Sequence, residues 1–271
     1  MTIAISPVGE TPGLIDILID RRLMGSGAMR DGSIHLTGAT AEGLARAMAN
    51  GRVLTLRARR RIIATISLGG SSAAMRYIDA EQGRAGGVTA LVARGPKSAA
   101  AVPGAMAVPR VAAVRPGRGK PAALHADQIE PLRARAGCAD YQVFEDMKPG
   151  FHRLDGHSTL VLIPCIGGAY QGSYAIFVAT DGRVAPAPFD ILPHDEGAEP
   201  APVPWLVFPE WDPAEGSLHS VAKGRGLGDC GENQNWVWDG SRFRMTHYDG
   251  LQACRMSGSW LTHYRAEPVY K

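Results

Sequence analysis

Four cysteines and a few histidines carry the reactive groups of this chain. Cys138, Cys165, Cys230 and Cys254 all lie in its second half. None forms a Cys-x-x-Cys pair, which argues against zinc-ribbon and thioredoxin-like sites. An even number in a glycine-rich half fits two disulfides, for which three connectivities exist. Local pairing, Cys138 with Cys165 and Cys230 with Cys254, closes two loops of about 25 residues. Each is worth roughly 3 kcal/mol through restriction of the unfolded chain. Four buried free thiols of a cytosolic protein are the alternative. A further option is nucleophilic chemistry, with Cys230 attacking, His219 or His247 as base, and Asp229 orienting His247. That set, Cys230 or Asp229 with His247, would make a hydrolase of cell-envelope material.

Gly226-Leu-Gly-Asp-Cys-Gly231 spells G-x-G-x-x-G. Dinucleotide binding needs a helix after such a loop, because the helix N-terminal amides hold the pyrophosphate. Here Trp236, Trp238 and Asp239-Gly240 follow, a β-hairpin pattern. The glycines are expected instead to permit positive φ in a tight disulfide-bearing turn. Trp236 and Trp238 sit at i and i+2, on one face of a strand. They either pave a sugar- or peptide-binding groove, with Arg225 and Asp229 beside them as ligand-binding candidates, or fill a small β core. His152, Asp155 and His157, with His194, Asp195 and Glu196 as further donors, match no standard metal spacing and read as surface loops. No metal and no cofactor are expected. Arg57, Arg59, Arg60 and Arg61 form a basic cluster that could meet lipid headgroups, anionic polysaccharide or nucleic acid. Without interleaved aromatics for base stacking, a solvated turn is the simpler reading, and nucleic acid is not an expected partner.

These groups need elements to position them. Gly 33 and Pro 19 make up about a fifth of the 271 residues, which predicts many turns and few long helices. The net charge of +3 is small. No apolar run approaches the roughly 18 residues of a membrane span. Met1 to Asp20 does not read as a signal peptide, since it lacks a basic start and Glu10, Asp16 and Asp20 interrupt it. The pattern predicts strands at Leu14 to Ile19, Ser33 to Leu36, Val53 to Leu56, Arg61 to Leu68 and Val88 to Ala93. Thr40 is expected to cap a helix over Ala41 to Asn50, with Leu44 and Met48 inward. Ser71 or Ser72 caps a second helix that ends at Gly83, with Ala74, Met75 and Ile78 inward and Arg76, Asp79 and Glu81 toward water. Lys97 to Pro121, with four prolines, reads as an extended linker. Residues 122–137 resume a helical pattern.

The remainder reads as all β. The two stretches Leu160 to Phe189 and Leu218 to Phe243 share one order: strand, glycine-rich turn with a cysteine, strand, Asp-Gly turn, aromatic. This suggests two similar meanders. The expected fold class is α+β, mainly β. A small N-terminal α+β or β-sandwich-like domain (residues 1–97) is joined by a linker (98–121) to a disulfide-stapled antiparallel β domain (122–271).

Lys223-Gly-Arg-Gly-Leu-Gly-Asp-Cys-Gly231, then Trp236-Val-Trp-Asp-Gly240 and Phe243, resembles the domain-of-unknown-function 1176 family. Leu162-Ile-Pro-Cys-Ile-Gly-Gly-Ala-Tyr170, Trp211-Asp-Pro213, Cys254-Arg255 and Tyr264-Arg-Ala266 add to the likeness. So do Ile66 to Ala74 and Val88 to Arg94, a stretch also similar to the invasion-associated locus B proteins. The resemblance spans roughly residues 25–270. It implies an exported, periplasmic or secreted bacterial protein, with no family catalytic residues to carry over. Members usually open with an export signal and a strand bearing Trp and Cys, and residues 1–24 depart from that pattern. The sequence-based expectation is a non-enzymatic binding or envelope-interaction module, with envelope polysaccharide or protein as partner.

Overall fold

A computed structural model describes residues 1–7, 13–30, 32–192, 202–254, 256 and 260–271. The chain is mainly β and divides into two units, Met1–Met106 and Ala107–Lys271.

The N-terminal unit holds β1 (Thr2–Ile5), β2 (Leu14–Ile19), β3 (Arg22–Ala28), β4 (Ile34–Thr37), α1 (Gly38–Asn50), β5 (Val53–Ala58), β6 (Arg61–Ser67) and α2 (Ser71–Glu81). One antiparallel sheet runs β3-β2-β5-β6, and β1 pairs with β4. Alternation decides the faces. Ile15, Ile17 and Ile19 of β2 and Leu54 and Leu56 of β5 are buried, and they cluster with Ala41 and Leu44 of α1. Helix α1 starts at Gly38, before the expected cap Thr40, because β4 runs directly into it with Thr37 as the extended N-cap residue.

Three further local expectations fail in this unit. Gly70, not Ser71 or Ser72, takes the N-cap position of α2. The inward face of α2 is not Ala74, Met75 and Ile78. Ile78 is 40% exposed, and Asp79, assigned to water, is 0% exposed. Nor is Val88 to Ala93 a strand. It is a loop whose Leu91, Val92 and Ala93 amides donate to the Asp79 carboxylate at 2.9, 2.9 and 3.1 Å. Charge alone placed Asp79 outside. Three amide donors, with Arg84 at 3.6 Å, offset the desolvation that would otherwise keep it there.

The C-terminal unit holds β7 (Arg110–Ala113), α3 (Ala126–Arg135), β8 (Gly150–Arg153), β9 (Ser158–Gly167), β10 (Gly172–Thr180), β11 (Arg183–Pro186), β12 (Trp205–Val207), β13 (Glu210–Asp212), β14 (Ser217–Lys223), β15 (Gly231–Trp238), β16 (Phe243–Leu251), β17 (Leu261–Arg265) and β18 (Glu267–Tyr270). The first sheet is β11-β10-β9-β8, with β12 also on β10. The second is β13-β14-β15-β16-β17. Leu160, Leu162, Ile176 and Val178 of the first pack on Leu218, Trp236, Phe243 and Met245 of the second. On its other face the first sheet carries Val161, Ile163 and Phe177 against Leu132 and Ala136, beside Cys138 and Cys165. Burial on both faces explains why β9 reads as a continuous apolar run. The disulfides are Cys138–Cys165 and Cys230–Cys254, with Cα atoms 5.3 and 4.7 Å apart.

Residues 98–121 do not form one exposed linker. Val111 and Ala113 are buried, and β7 pairs in parallel with β18. The prolines flank this short strand at Pro109 and Pro116 instead of interrupting it. The two Asp-Gly turns also differ. Asp181 and Gly182 have φ of 50° and 80°, the two-residue type I′ form. Asp239 instead opens a longer turn, in which its N–H donates to the Arg242 carbonyl at 3.0 Å. The aromatics that end the two meanders, Phe189 and Phe243, bridge one another in parallel and stack with centroids 5.0 Å apart.

Candidate functional site

The tryptophan pair lies in the core. Trp236 is fully buried and Trp238 nearly so. Their indole N–H groups are used internally, Trp236 donating to the Ile191 carbonyl at 2.9 Å and Trp238 to Asp155 Oδ2 at 2.6 Å. Trp236 offers no open face to a ligand, and Trp238, 3% exposed, only borders an open pocket with Thr180, Arg183 and Pro186. Arg225 grips Asp229 through two bonds of 2.7 and 2.6 Å, and Asp229 also accepts from the Met256 amide at 2.6 Å. The Arg225 hydrogen bond, against the opposing effect of burial, holds the Asp229 carboxyl well below the usual range. Both groups therefore tie the 225–231 loop to Cys254 and Met256. The glycines serve the same turn: Gly228 has φ 66°, and a Cβ on Gly231 (φ 140°) would lie 2.1 Å from the Ala222 carbonyl oxygen.

The hydrolase set does not assemble as expected. Cys230 is spent in its disulfide, Asp229 is committed to Arg225, and the carboxylate on His247 is Asp249, at 2.8 Å. The candidate metal donors are also engaged elsewhere or apart. Asp155 accepts from the His157 and Ser158 amides, while the His157 ring lies 3.9 Å from Asp181. Burial lowers the pKa of His152. Among the described residues no cluster of three such donors could hold a metal. His194, Asp195 and Glu196 lie outside the described residues. In the N-terminal unit Arg57 pairs with Asp16 at 2.8 Å, and Arg59 and Arg60 form the β5–β6 turn.

A different constellation does form, on the side of β15 opposite the tryptophans. Asn233 and Asn235 alternate with Gln234 and Trp236, so they face outward. The strand register sets Glu210, His219, Asn235, His247 and Arg265 in one row across all five strands. The next row is Val221, Asn233, Asp249 and Thr262. A β-bulge between Asn235 and Trp236 helps set this alignment. His219 Nδ1 is hydrogen-bonded to Asn235 Oδ1. Burial opposes ionisation of Asp249, but hydrogen bonds from Thr262 and His247 outweigh it and keep the carboxyl below its ordinary value.

The β7–β18 ribbon covers the apolar end of this face, where Val237 packs with Val111, Ala113 and Ala266. Where the ribbon stops, an open cleft of about 400 Å³ remains. Its lining includes Asn233, Asn235, Thr246, His247 and Arg265, with Pro268 and Tyr270 of β18. Arg115 lies over the Tyr270 ring at 4.8 Å, and the Tyr270 hydroxyl donates to the Glu215 carbonyl at 2.6 Å, so this residue is held from both sides. Asn233 Oδ1 is sealed from solvent and accepts no hydrogen bond. The cleft thus offers a guanidinium without an ion-pair partner among the described residues, a positioned imidazole and two asparagine side chains.

A family model described as "Protein of unknown function (DUF1176)" matches residues 3–267. The chain belongs to this family. The DUF1176 match begins at residue 3, so it includes most of the opening segment, residues 1–24. One relative, the uncharacterized protein YpfG of Escherichia coli (strain K12), is 32% identical over 197 residues, which is 70% of this chain and 56% of the relative. The chain therefore spans little more than half of that relative's length. No solved structure matches. The likeness to invasion-associated locus B proteins is not shown by these matches. His247 was singled out from sequence, but with the wrong partners. Asn233, Asn235 and Arg265 carry no sequence signal of their own, and only alternation with buried Trp236 pointed to an outward face.

Proposed function

We propose that this DUF1176 chain is an exported, non-enzymatic binding module of the bacterial envelope. Its ligand is polysaccharide, held in the cleft over Asn233, Asn235, His247 and Arg265. The observation that carries this reading is the open cleft that brings Asn233, Asn235, His247 and Arg265 together. Amide, imidazole and guanidinium groups side by side match the closely spaced hydroxyls and acidic groups of a sugar chain. Two disulfides support an oxidising compartment outside the cytoplasm.

The test is calorimetric titration of the oxidised protein with soluble fragments of bacterial envelope polysaccharide. Binding is expected in the native protein and is lost in Asn233→Leu and Arg265→Ala. An absence of binding by the native protein, or equal binding by both variants, overturns the reading.

A further inference from the structure

The two units carry opposite charge. Residues 1–106 hold 13 basic and 7 acidic side chains, a balance of +6, while residues 107–271 hold 16 and 19, a balance of −3. The excess in the N-terminal unit is concentrated at its four-stranded sheet. Arg21, Arg22 and Arg52 lie at one end of the strands and Arg59, Arg60 and Arg61 at the other. All six are exposed, and none has an ion-pair partner among the described residues. Among the described residues, the acids of these strands and their turn are already engaged. Asp16 takes Arg57 and Ser26, and Asp20 accepts from the Arg52 and Val53 amides.

Between these basic ends the outward sheet face is mixed: Asp16, Ser26, Thr55 and Arg57 lie on it with Leu14, Leu18, Leu23 and Ile62. Helix α1 packs on the other face, through the cluster of Ile15, Ile17, Leu54 and Leu56 with Ala41 and Leu44. On the outward side Leu14, Leu23 and Ile62 are 62%, 54% and 61% exposed. Leu18 pairs with Leu23 and Thr55, and Ile62 with Arg57, which places them on this side together. A groove of about 1060 Å³ runs here, lined in part by Leu18, Val53, Ile62, Arg21, Arg52 and Arg57. At the rim, Asp20 and Arg21 both take positive φ, 46° and 73°. This strained turn holds an arginine where glycine would relieve the backbone.

We infer that this face docks on a bilayer surface bearing anionic phospholipid headgroups. The basic ends are separated by strands of six residues, roughly 20 Å. A headgroup lattice presents negative charge at both ends at once, and its acyl boundary accepts the exposed Leu23 beside Arg22 and Ile62 beside Arg61. A polyanion such as nucleic acid or an acidic polysaccharide would meet the arginines but leave the exposed Leu14, Leu23 and Ile62 uncovered. A short acidic peptide would need its charges at both ends of an extended segment.

The test is cosedimentation of the full chain with phosphatidylcholine vesicles, with and without phosphatidylglycerol, at low and high salt. Binding is expected only to the anionic vesicles and is weakened by salt. Each arginine neutralised, in Arg21→Gln or Arg52→Gln, should weaken it about fivefold. Ile62→Ser, an exposed change checked by circular dichroism for an intact fold, should weaken it as well. Equal binding to neutral vesicles, full binding by these variants, or no binding to vesicles overturns the inference. So does capture of soluble polyglutamate without vesicle binding, which would assign the face to an acidic peptide. Asn233→Leu should bind vesicles as the native chain does, which separates this inference from the polysaccharide reading.

Discussion

The two units pin their loops by different chemistry. The N-terminal unit contains no cysteine. It holds the 84–97 loop through one buried carboxylate, Asp79, that collects three backbone amides. The C-terminal unit uses covalent ties, Cys138–Cys165 where the chain leaves α3 and Cys230–Cys254 beside the glycine loop. A carboxylate clamp recurs there as a supplement, since Asp229 gathers Arg225 and the Met256 amide next to the second disulfide. A loop that lies on a small core gains little from apolar contacts, so a few strong tethers decide where it sits. One unit is expected to loosen in acid and the other under reduction.

The largest effect belongs to the C-terminal core. Trp236→Ala should destabilise that unit by about 3–5 kcal/mol, since the side chain is 0% exposed between two sheets. All five tryptophans lie within residues 205–260, so the emission change in denaturant reports this unit alone. A loss below about 1 kcal/mol would remove Trp236 from the core.

Reduction comes next. Cys138→Ser with Cys165→Ser should cost about 3 kcal/mol by the same fluorescence measurement. Protection of the Leu91 to Ala93 amides against hydrogen exchange should stay unchanged. If reduction also released those amides, the two units would not be independent.

A third test uses acid. Burial opposes ionisation of Asp79, and bonds from the Val92, Leu91 and Ala93 amides more than compensate, leaving its pKa below the ordinary value. Its contribution is therefore complete above about pH 4, the unfolded value, and is lost as pH falls through the lower folded value. Asp79→Asn should lose roughly 1.5–3 kcal/mol at neutral pH. It should also abolish the acid dependence of exchange at Leu91, Val92 and Ala93. An unaltered pH profile in the variant would rule out the clamp.

The smallest stability effect is expected at the cleft. Asn233→Leu removes an unpaired buried acceptor, so the melting temperature should be unchanged or slightly raised while polysaccharide binding is lost. A destabilised variant would show that Asn233 has a partner inside the protein.

Local order was legible in the residues themselves. Asp181-Gly182 specifies a tight turn because both positions adopt positive φ. The glycines around Cys230 specify a crowded one, and each cysteine pairs with the next in sequence. The strands of β2, β5, β9 and β10 announced themselves by apolar content and alternation. Three features were decided by tertiary structure alone. Asp79 became a core residue because a distant loop brought its amides to it, and no property of an isolated aspartate signals that. Arg110–Ala113 became a strand because Glu267–Tyr270, at the other end of the unit, lies alongside it. The row Glu210, His219, Asn235, His247 and Arg265 exists only through the register of five strands. Alternation assigns each residue to a face of its own strand, but it does not say which residue of the neighbouring strand stands beside it.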